Sequence, residues 1–268
     1  RNHVAAFIKS FYRRSDMSML ELTPDFIKEF AAYLSTEAGL RNGSIWANCM
    51  WLKGVVMKAH YNGLIPRNPF IQFHISPNVK EREYLTEDEL KAVMTHEFAD
   101  SKLAYIRDIF IFASFTALSF VDIQELTNDN IVEVNGEKWI LSKRHKTKVA
   151  FQVKLLDIPL QIVERYRPMQ KDNRIFPGLN YWSICKPLKR MIRECGITKS
   201  ISFHCSRHGF ATLALSKGMP IESVSRVLGH TNIVTTQLYA KITTQKLDND
   251  LTMFGDKLSK TFNGITMS

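Results

Sequence analysis

Acidic residues are in short supply in this chain. It holds 26 Asp and Glu against 36 Lys and Arg, a formal net charge of +10 over 268 residues. That imbalance points toward a polyanionic partner, because Lys and Arg gain affinity by releasing phosphate counterions. Long hydrophobic runs are missing too. None approaches the roughly 20 apolar residues that a membrane-spanning helix needs, so no membrane partner is expected. The four cysteines, Cys49, Cys185, Cys195 and Cys205, form no CxxC pair. A zinc ribbon and a dithiol redox motif are therefore not indicated, and a reducing cytoplasm fits best. Internal repeats and low-complexity tracts are absent. The opening "RNHVAAFIKSFYRR" has neither an initiator Met nor a signal-peptide pattern. It reads as the middle of a helix, which suggests a piece of a longer protein.

What is present reads as two units. Residues 1–75 look all-helical. Thr23 before Pro24 is a cap followed by proline at the first helical position. Phe26, Ile27, Phe30, Ala31 and Leu34 then recur at helical spacing. "GLRNGS" breaks the pattern, and a second helix is predicted from about Ser44 to His60. The polar stretch at 76–84 reads as a linker. Thr86 and Glu89 form a capping box that opens a second, larger unit. Helices run to about Leu118. "NIVEVNGEKWIL" alternates like a strand pair around Asn135-Gly136, a strong hairpin signal, and "VAFQVKLL" supplies a third strand. The predicted fold class is mainly α with a small three-stranded antiparallel β-sheet. Residues 1–75 carry nine Lys and Arg against five Asp and Glu, so both units are basic. That suits two lobes gripping one polyanion.

Three features of the sequence carry chemistry. "SKRHKTK" at 142–148 packs four fixed cations and a histidine between two predicted strands. "HCSRHGFATLAL" presents His204 and Arg207 three residues apart, on one face of a helix, as an imidazole and a guanidinium suited to a phosphate. In "VLGHTNIVTTQLYAKI", Gly229 reads as a helix C-terminal residue that holds His230 at a tight corner. Thr231 or Asn232 would cap the next helix. The small polar residues that follow suit an approach to a phosphodiester backbone. His204 and His208 share the HExxH spacing, but Cys205 replaces the glutamate and no third ligand is evident. No metal and no cofactor are predicted, and His208 is read as structural.

In order and spacing, H-x-x-R (His204, Arg207), L-G-H (Leu228 to His230) and a tyrosine nine residues later (Tyr239) resemble the tyrosine recombinases, or phage-type integrases. The resemblance spans essentially the whole chain, and the wording looks most like integrases of Bacteroides-type conjugative transposons. It implies a two-domain clamp with a core-site DNA-binding domain at 1–75, a linker at 76–84 and a catalytic domain at 85–268. It implies a metal-free, ATP-free strand transfer through a 3′-phosphotyrosyl link, for integration and excision of a mobile element. Tyr239 would be the nucleophile. Arg207 and His204 would clamp the scissile phosphate, His230 would donate to a non-bridging oxygen, and Lys146 would be the general acid. The implied partners are double-stranded attachment-site DNA, further protomers of a synaptic homotetramer and accessory DNA-bending proteins, in a bacterial, nucleoid-associated setting. The truncated start suggests an arm-binding domain ahead of Arg1, though the sequence itself does not show one. The tail stripe Leu247, Leu251, Phe254, Leu258 and Phe262 would dock on a neighbouring protomer.

One position departs from the pattern. Where the family has a first catalytic arginine, "FTALSFVDIQEL" has Ser119, with Asp122 at the acidic position. Serine donates one hydrogen bond but carries no charge. Arg144 is two residues from Lys146, so on an extended edge both leave the same face. Arg144 is therefore expected to take over part of the missing role, while Lys143 and Lys148 read as nonspecific phosphate contacts. Asp122 is expected to order neighbouring backbone or basic groups. The departure also keeps a second reading open, a catalytically weak or silent DNA-binding relative. A type IB topoisomerase is a third reading, disfavoured by the lack of a larger cap domain.

Overall fold

The computed structural model describes residues 2–76, 83–145, 148–170, 172–239 and 244–261. The chain divides into two compact units, 1–81 and 82–268. The first holds α1 (Asn2–Phe11), α2 (Pro24–Thr36) and α3 (Asn42–Tyr61). Thr23 caps α2 by accepting the Phe26 N–H at 3.1 Å, so the Thr-Pro signal is realised. α3 starts two residues before the expected Ser44, and its N-cap, Arg41, offers no side-chain bond. Phe7, Phe26, Phe30, Leu34, Cys49 and Val56 form the centre of this unit's core.

The second unit contains α4 (Glu87–Thr95), α5 (Ser101–Thr116), α6 (Phe120–Gln124), β1 (Ile131–Val134), β2 (Glu137–Lys143) and β3 (Ala150–Lys154). It continues with α7 (Asp157–Tyr166), α8 (Tyr181–Glu194), α9 (Cys205–Ser216), α10 (Ile221–Leu228), α11 (Val234–Gln237) and α12 (Thr244–Thr261). α5 is its axis. From Ile109 to Ala113 every side chain is buried, because α4, α7, α8 and α9 pack against it. An all-round apolar helix has no stable place except a core. Asp108 on α5 is buried as a charge, and it survives there because Arg107, Arg165 and the Tyr166 hydroxyl all donate to it. The predicted capping box opens α4, with Glu89 N–H on Thr86 Oγ1 and Thr86 N–H on Glu89 Oε2.

The sheet is antiparallel in the order β1-β2-β3, as predicted. Val134 pairs with Glu137 across Asn135 and Gly136, whose φ angles are +52° and +79°. Two consecutive positive φ values define the tight hairpin turn that matches strand twist. β2 and β3 run in register from Trp139–Lys154 to Lys143–Ala150. Beyond the last pair, Arg144 N–H donates to Val149 O and Lys148 N–H returns to Arg144 O, each at 2.8 Å. Arg144 and Lys148 are thus tied to each other just beyond the end of the strand pair. A smaller apolar cluster lies between α9 and α10, built from Ala117, Ala211, Leu215, Val224 and Leu228, with Tyr239 packed against it.

A Cβ at Gly136 would touch nothing within 4 Å, so substitution there is opposed by conformation alone. Gly136→Ala is expected to lower the unfolding free energy by about 1 kcal/mol. Urea titration checks this, and an unchanged midpoint would mean that the turn does not hold the sheet.

Candidate active site

α10 ends at Gly229 in the left-handed conformation, φ +64°. A helix end leaves four carbonyls without intrahelical donors. Here all four are met. The Gly229 and His230 N–H groups satisfy Arg226 O and Ser225 O. Val227 O accepts from Arg144 Nη2, and Leu228 O accepts from Arg207 Nη2. Two arginines from different elements therefore cap one helix, which also places their charge at the negative end of its dipole.

Arg207 sits in the first turn of α9 and is only 9 % exposed. Its Nη1 donates to Ala117 O at 2.7 Å, beyond the end of α5. Burial, with the nearby charge of Arg144, lowers its pKa to about 10, and Tyr239 and Asp122 pull the other way. It remains a cation at neutral pH.

Arg144 is 6 % exposed, the deepest charge of the basic stretch among the described residues. Nη1 donates to Asp122 Oδ2 at 2.7 Å, and the guanidinium lies 4.0 Å from the centre of the Phe151 ring. Its Nε is the one buried side-chain nitrogen or oxygen without a hydrogen-bond partner among the described residues. Asp122, 8 % exposed, also accepts from the His145 N–H at 3.0 Å and the Ser119 hydroxyl at 2.8 Å. Burial alone would raise its pKa. The bonds from His145, Arg144 and Ser119 outweigh that, and hold the carboxylate below its ordinary range. Ser119 is thereby spoken for. It is the N-cap of α6, bonded reciprocally with Asp122.

His230 shares a hydrogen bond between Nδ1 and Thr236 Oγ1, 2.9 Å apart, and Thr236 is fully buried. Burial first, then the charges of Arg207, Arg144 and His204, depress its pKa to about 4. It is a neutral imidazole at pH 7, with a ring nitrogen fixed by Thr236. His204 is the exposed residue that precedes α9, outside the helix interior where its spacing had placed it. Its ring meets that of His208 edge-on at 4.7 Å between centroids, and His208 in turn lies 5.1 Å from the Tyr239 ring. Tyr239 is half-buried, and its N–H donates to Thr236 O at 3.0 Å.

Of the six residues singled out in the sequence, Arg144, Arg207, His204, His230 and Tyr239 gather around the end of α10. Lys146 falls outside the described residues, as do Thr147 and Phe262. The N-cap of α11 is Ile233, which offers no side-chain bond, and not Thr231 or Asn232, although Asn232 Oδ1 accepts the Val234 N–H at 2.9 Å. Phe151 under Arg144, His208 beside Tyr239 and Thr236 on His230 are contacts that the sequence reading did not place. Thr236 alone carried a signal, as one of the small polar residues after His230.

The phage integrase family matches residues 83–246, and the phage integrase SAM-like domain matches residues 1–75. The chain belongs to the phage integrase family. Among its relatives, the tyrosine recombinase XerA of Pyrococcus horikoshii is 32 % identical over 177 residues, 61 % of this chain and 58 % of that protein. The tyrosine recombinase XerC of Lactobacillus leichmannii is 25 % identical over 229 residues, 80 % of this chain and 77 % of that one. The fold is shared with the Tn1549 transposon integrase in complex with circular intermediate DNA. That match has a TM-score of 0.74 and 18 % identity, and covers 87 % of this chain and 86 % of that one. XerH bound to a palindromic difH substrate gives 0.69 and 19 % identity, covering 93 % and 77 %.

The neutral His230 has a stability consequence. Its folded pKa of about 4 lies below the ordinary 6.5. Between those values the unfolded chain binds a proton that the folded chain does not, so stability present above pH 6.5 is lost as pH falls toward 4. The loss is expected to be on the order of 2 kcal/mol. Unfolding curves across that window should be steeper in pH for the wild type than for His230→Gln. Parallel curves would mean that His230 is not shielded.

Proposed function

We propose that this chain is a site-specific DNA recombinase that cleaves and rejoins DNA through a 3′-phosphotyrosyl intermediate. In this reading the Tyr239 oxygen attacks the scissile phosphorus and the bond to the 5′-oxygen breaks. Lys146 gives its proton to the leaving 5′-oxygen, which departs as a hydroxyl, and a second 5′-hydroxyl reverses the step. The phosphotyrosyl bond conserves the energy of the phosphodiester, so exchange needs no ATP. A phenol has a pKa near 10 and is a poor nucleophile at neutral pH. The surrounding charge supplies the help it needs. The observation that carries the reading is the convergence of two buried guanidiniums, a neutral imidazole and Tyr239 at the end of one helix. Fixed donors aimed where a phosphorane gathers negative charge are the main source of rate in such a reaction. Arg207 and His204 would clamp the phosphate, and His230, neutral, would donate through the nitrogen that does not face Thr236.

Arg144 would stand in for the arginine that Ser119 replaces. Two facts favour it. Its guanidinium is bonded to the same carboxylate that Ser119 caps, so it reaches the neighbourhood an arginine at 119 would occupy. It also holds a buried donor without an acceptor. Residues 1–75 would be the core-site DNA-binding domain, 76–84 the linker and 85–268 the catalytic domain. The substrate class would be the paired ends or attachment sites of a mobile element, as the likeness to a transposon integrase suggests. Accessory DNA-bending proteins would assist, and the work would take place in the bacterial cytoplasm. Among the described residues no helix is long and apolar enough to cross a membrane.

Duplexes selected for binding from a randomised pool, then nicked at staggered positions, test the chemistry. The wild type should form a detergent-resistant adduct, and Tyr239→Phe should form none. Arg144→Ala should slow adduct formation by about 10²–10³ while Ser119→Arg in that background recovers part of it. If the wild type binds DNA but never forms the adduct, the silent DNA-binding relative is the correct reading.

The tail bears on assembly. Leu247, Leu251, Phe254 and Leu258 on α12 are all exposed, at spacings of four, three and four. An apolar stripe left in water suits docking on another protomer. Replacing Leu251 and Phe254 by Glu should abolish the multi-protomer species on DNA, read by light scattering, and leave single-site binding intact. Unchanged assembly would remove α12 from the interface.

A further inference from the structure

We infer that Phe151 is a positioning residue for the reaction, acting through Arg144. The inference rests on the role given to Arg144 above and adds what holds that side chain in place. Arg144 hangs from the end of β2, past the last sheet pair, where a long side chain would ordinarily turn into water. Three contacts prevent that. Asp122 fixes Nη1, and Val227 O fixes Nη2. These two bonds set the ends of the guanidinium. Neither sets the tilt of its plane.

The Phe151 ring supplies the third constraint. It comes from β3, opposite Ser142, and its face lies 4.0 Å from the guanidinium carbon. The ring quadrupole attracts a cation over its face, most strongly where both are out of water. Both are, with Phe151 at 5 % exposure and Arg144 at 6 %. Gly229 bounds the cradle as well. A Cβ there would stand 3.0 Å from Arg144 Nε and 3.1 Å from Cγ. The glycine therefore serves two ends at one position. It takes the left-handed turn that ends α10, and it leaves room for the arginine.

A merely structural Phe151 and a positioning Phe151 differ in a measurable way. If the ring works through Arg144, its loss matters only while the phosphate needs a cation beside it. A methylphosphonate at the mapped cleavage position lacks one charged non-bridging oxygen and so needs that cation less. Phe151→Leu keeps apolar volume and removes the quadrupole. It is expected to slow adduct formation about tenfold on the phosphodiester. On the methylphosphonate it should come within about twofold of wild type, with DNA affinity unchanged on both. Combined with Arg144→Ala it should add nothing, since residues acting as one unit are not additive. Phe151→Met replaces Phe151→Leu if the latter melts early.

Each other outcome is decisive against the proposal. Full activity of Phe151→Leu overturns it, and so does an equal deficit on both substrates, which is the signature of a disturbed core. An additive effect in the double variant overturns it too. If Arg144→Ala itself forms adduct at the wild-type rate, the reading of Arg144 fails and the inference fails with it. If Arg144→Ala is slow and Phe151→Leu is not, only the inference fails.

Discussion

Asp122 is a carboxylate that has been taken out of water, and the site is arranged around keeping it charged there. An unpaired buried charge would neutralise or unfold its surroundings. Four donors prevent this: the Ser119 hydroxyl and N–H, the His145 N–H and the Arg144 guanidinium. They come from the start of α6 and from the loop after β2, so one carboxylate ties the sheet to the helical body. Breaking a buried pair of this kind costs about 3–5 kcal/mol, because the surviving partner is left charged and unpaired. Arg144 therefore gives the cationic stretch a buried root, while Lys143, His145 and Lys148 are exposed.

The end of α10 is the second half of the same arrangement. Its last two carbonyls would be orphans, and the chain satisfies them with guanidiniums in place of backbone donors. This choice places two positive charges near His230, where they add to burial, the larger cause, in keeping that imidazole neutral. A neutral imidazole has one nitrogen to give and one to fix. Thr236 fixes Nδ1, and its own burial keeps water from competing. The capping of a helix thus contributes, after burial, to the protonation state of a candidate donor.

How much of this was legible depends on the distance in sequence over which each feature is written. The hairpin at Asn135-Gly136, the Thr23 cap and the Thr86–Glu89 box are local, and their residues announce them. The H-x-x-R, L-G-H and tyrosine positions were legible as a spaced pattern, and the four candidates they carry, His204, Arg207, His230 and Tyr239, gather near one helix end. His204 as a helix-preceding, exposed residue was not legible, because a spacing of three says only that two side chains share a face if both are helical. Arg144 was expected to extend from a strand edge beside Lys146. Its actual partners lie 22 and 83 residues away, and no local pattern encodes contacts of that separation. Phe151 likewise reads as an ordinary inward strand residue until the guanidinium is seen above it.

On the proposed reading, a guanidinium that a helix start would have carried is carried instead by residue 144, after β2, and this changes what supports it. An arginine at 119 would sit at a helix start, held by the backbone of α6 itself. From 144 it is held instead by a carboxylate, a carbonyl and an aromatic face on three other elements. On the proposed reading, the same short loop also carries the general acid, Lys146. Charge stabilisation and proton supply would then share one support, and the order of that loop would govern both. Ser119 is consistent with this division. Position 119 gives its hydroxyl to Asp122 and so steadies the carboxylate on which Arg144 rests.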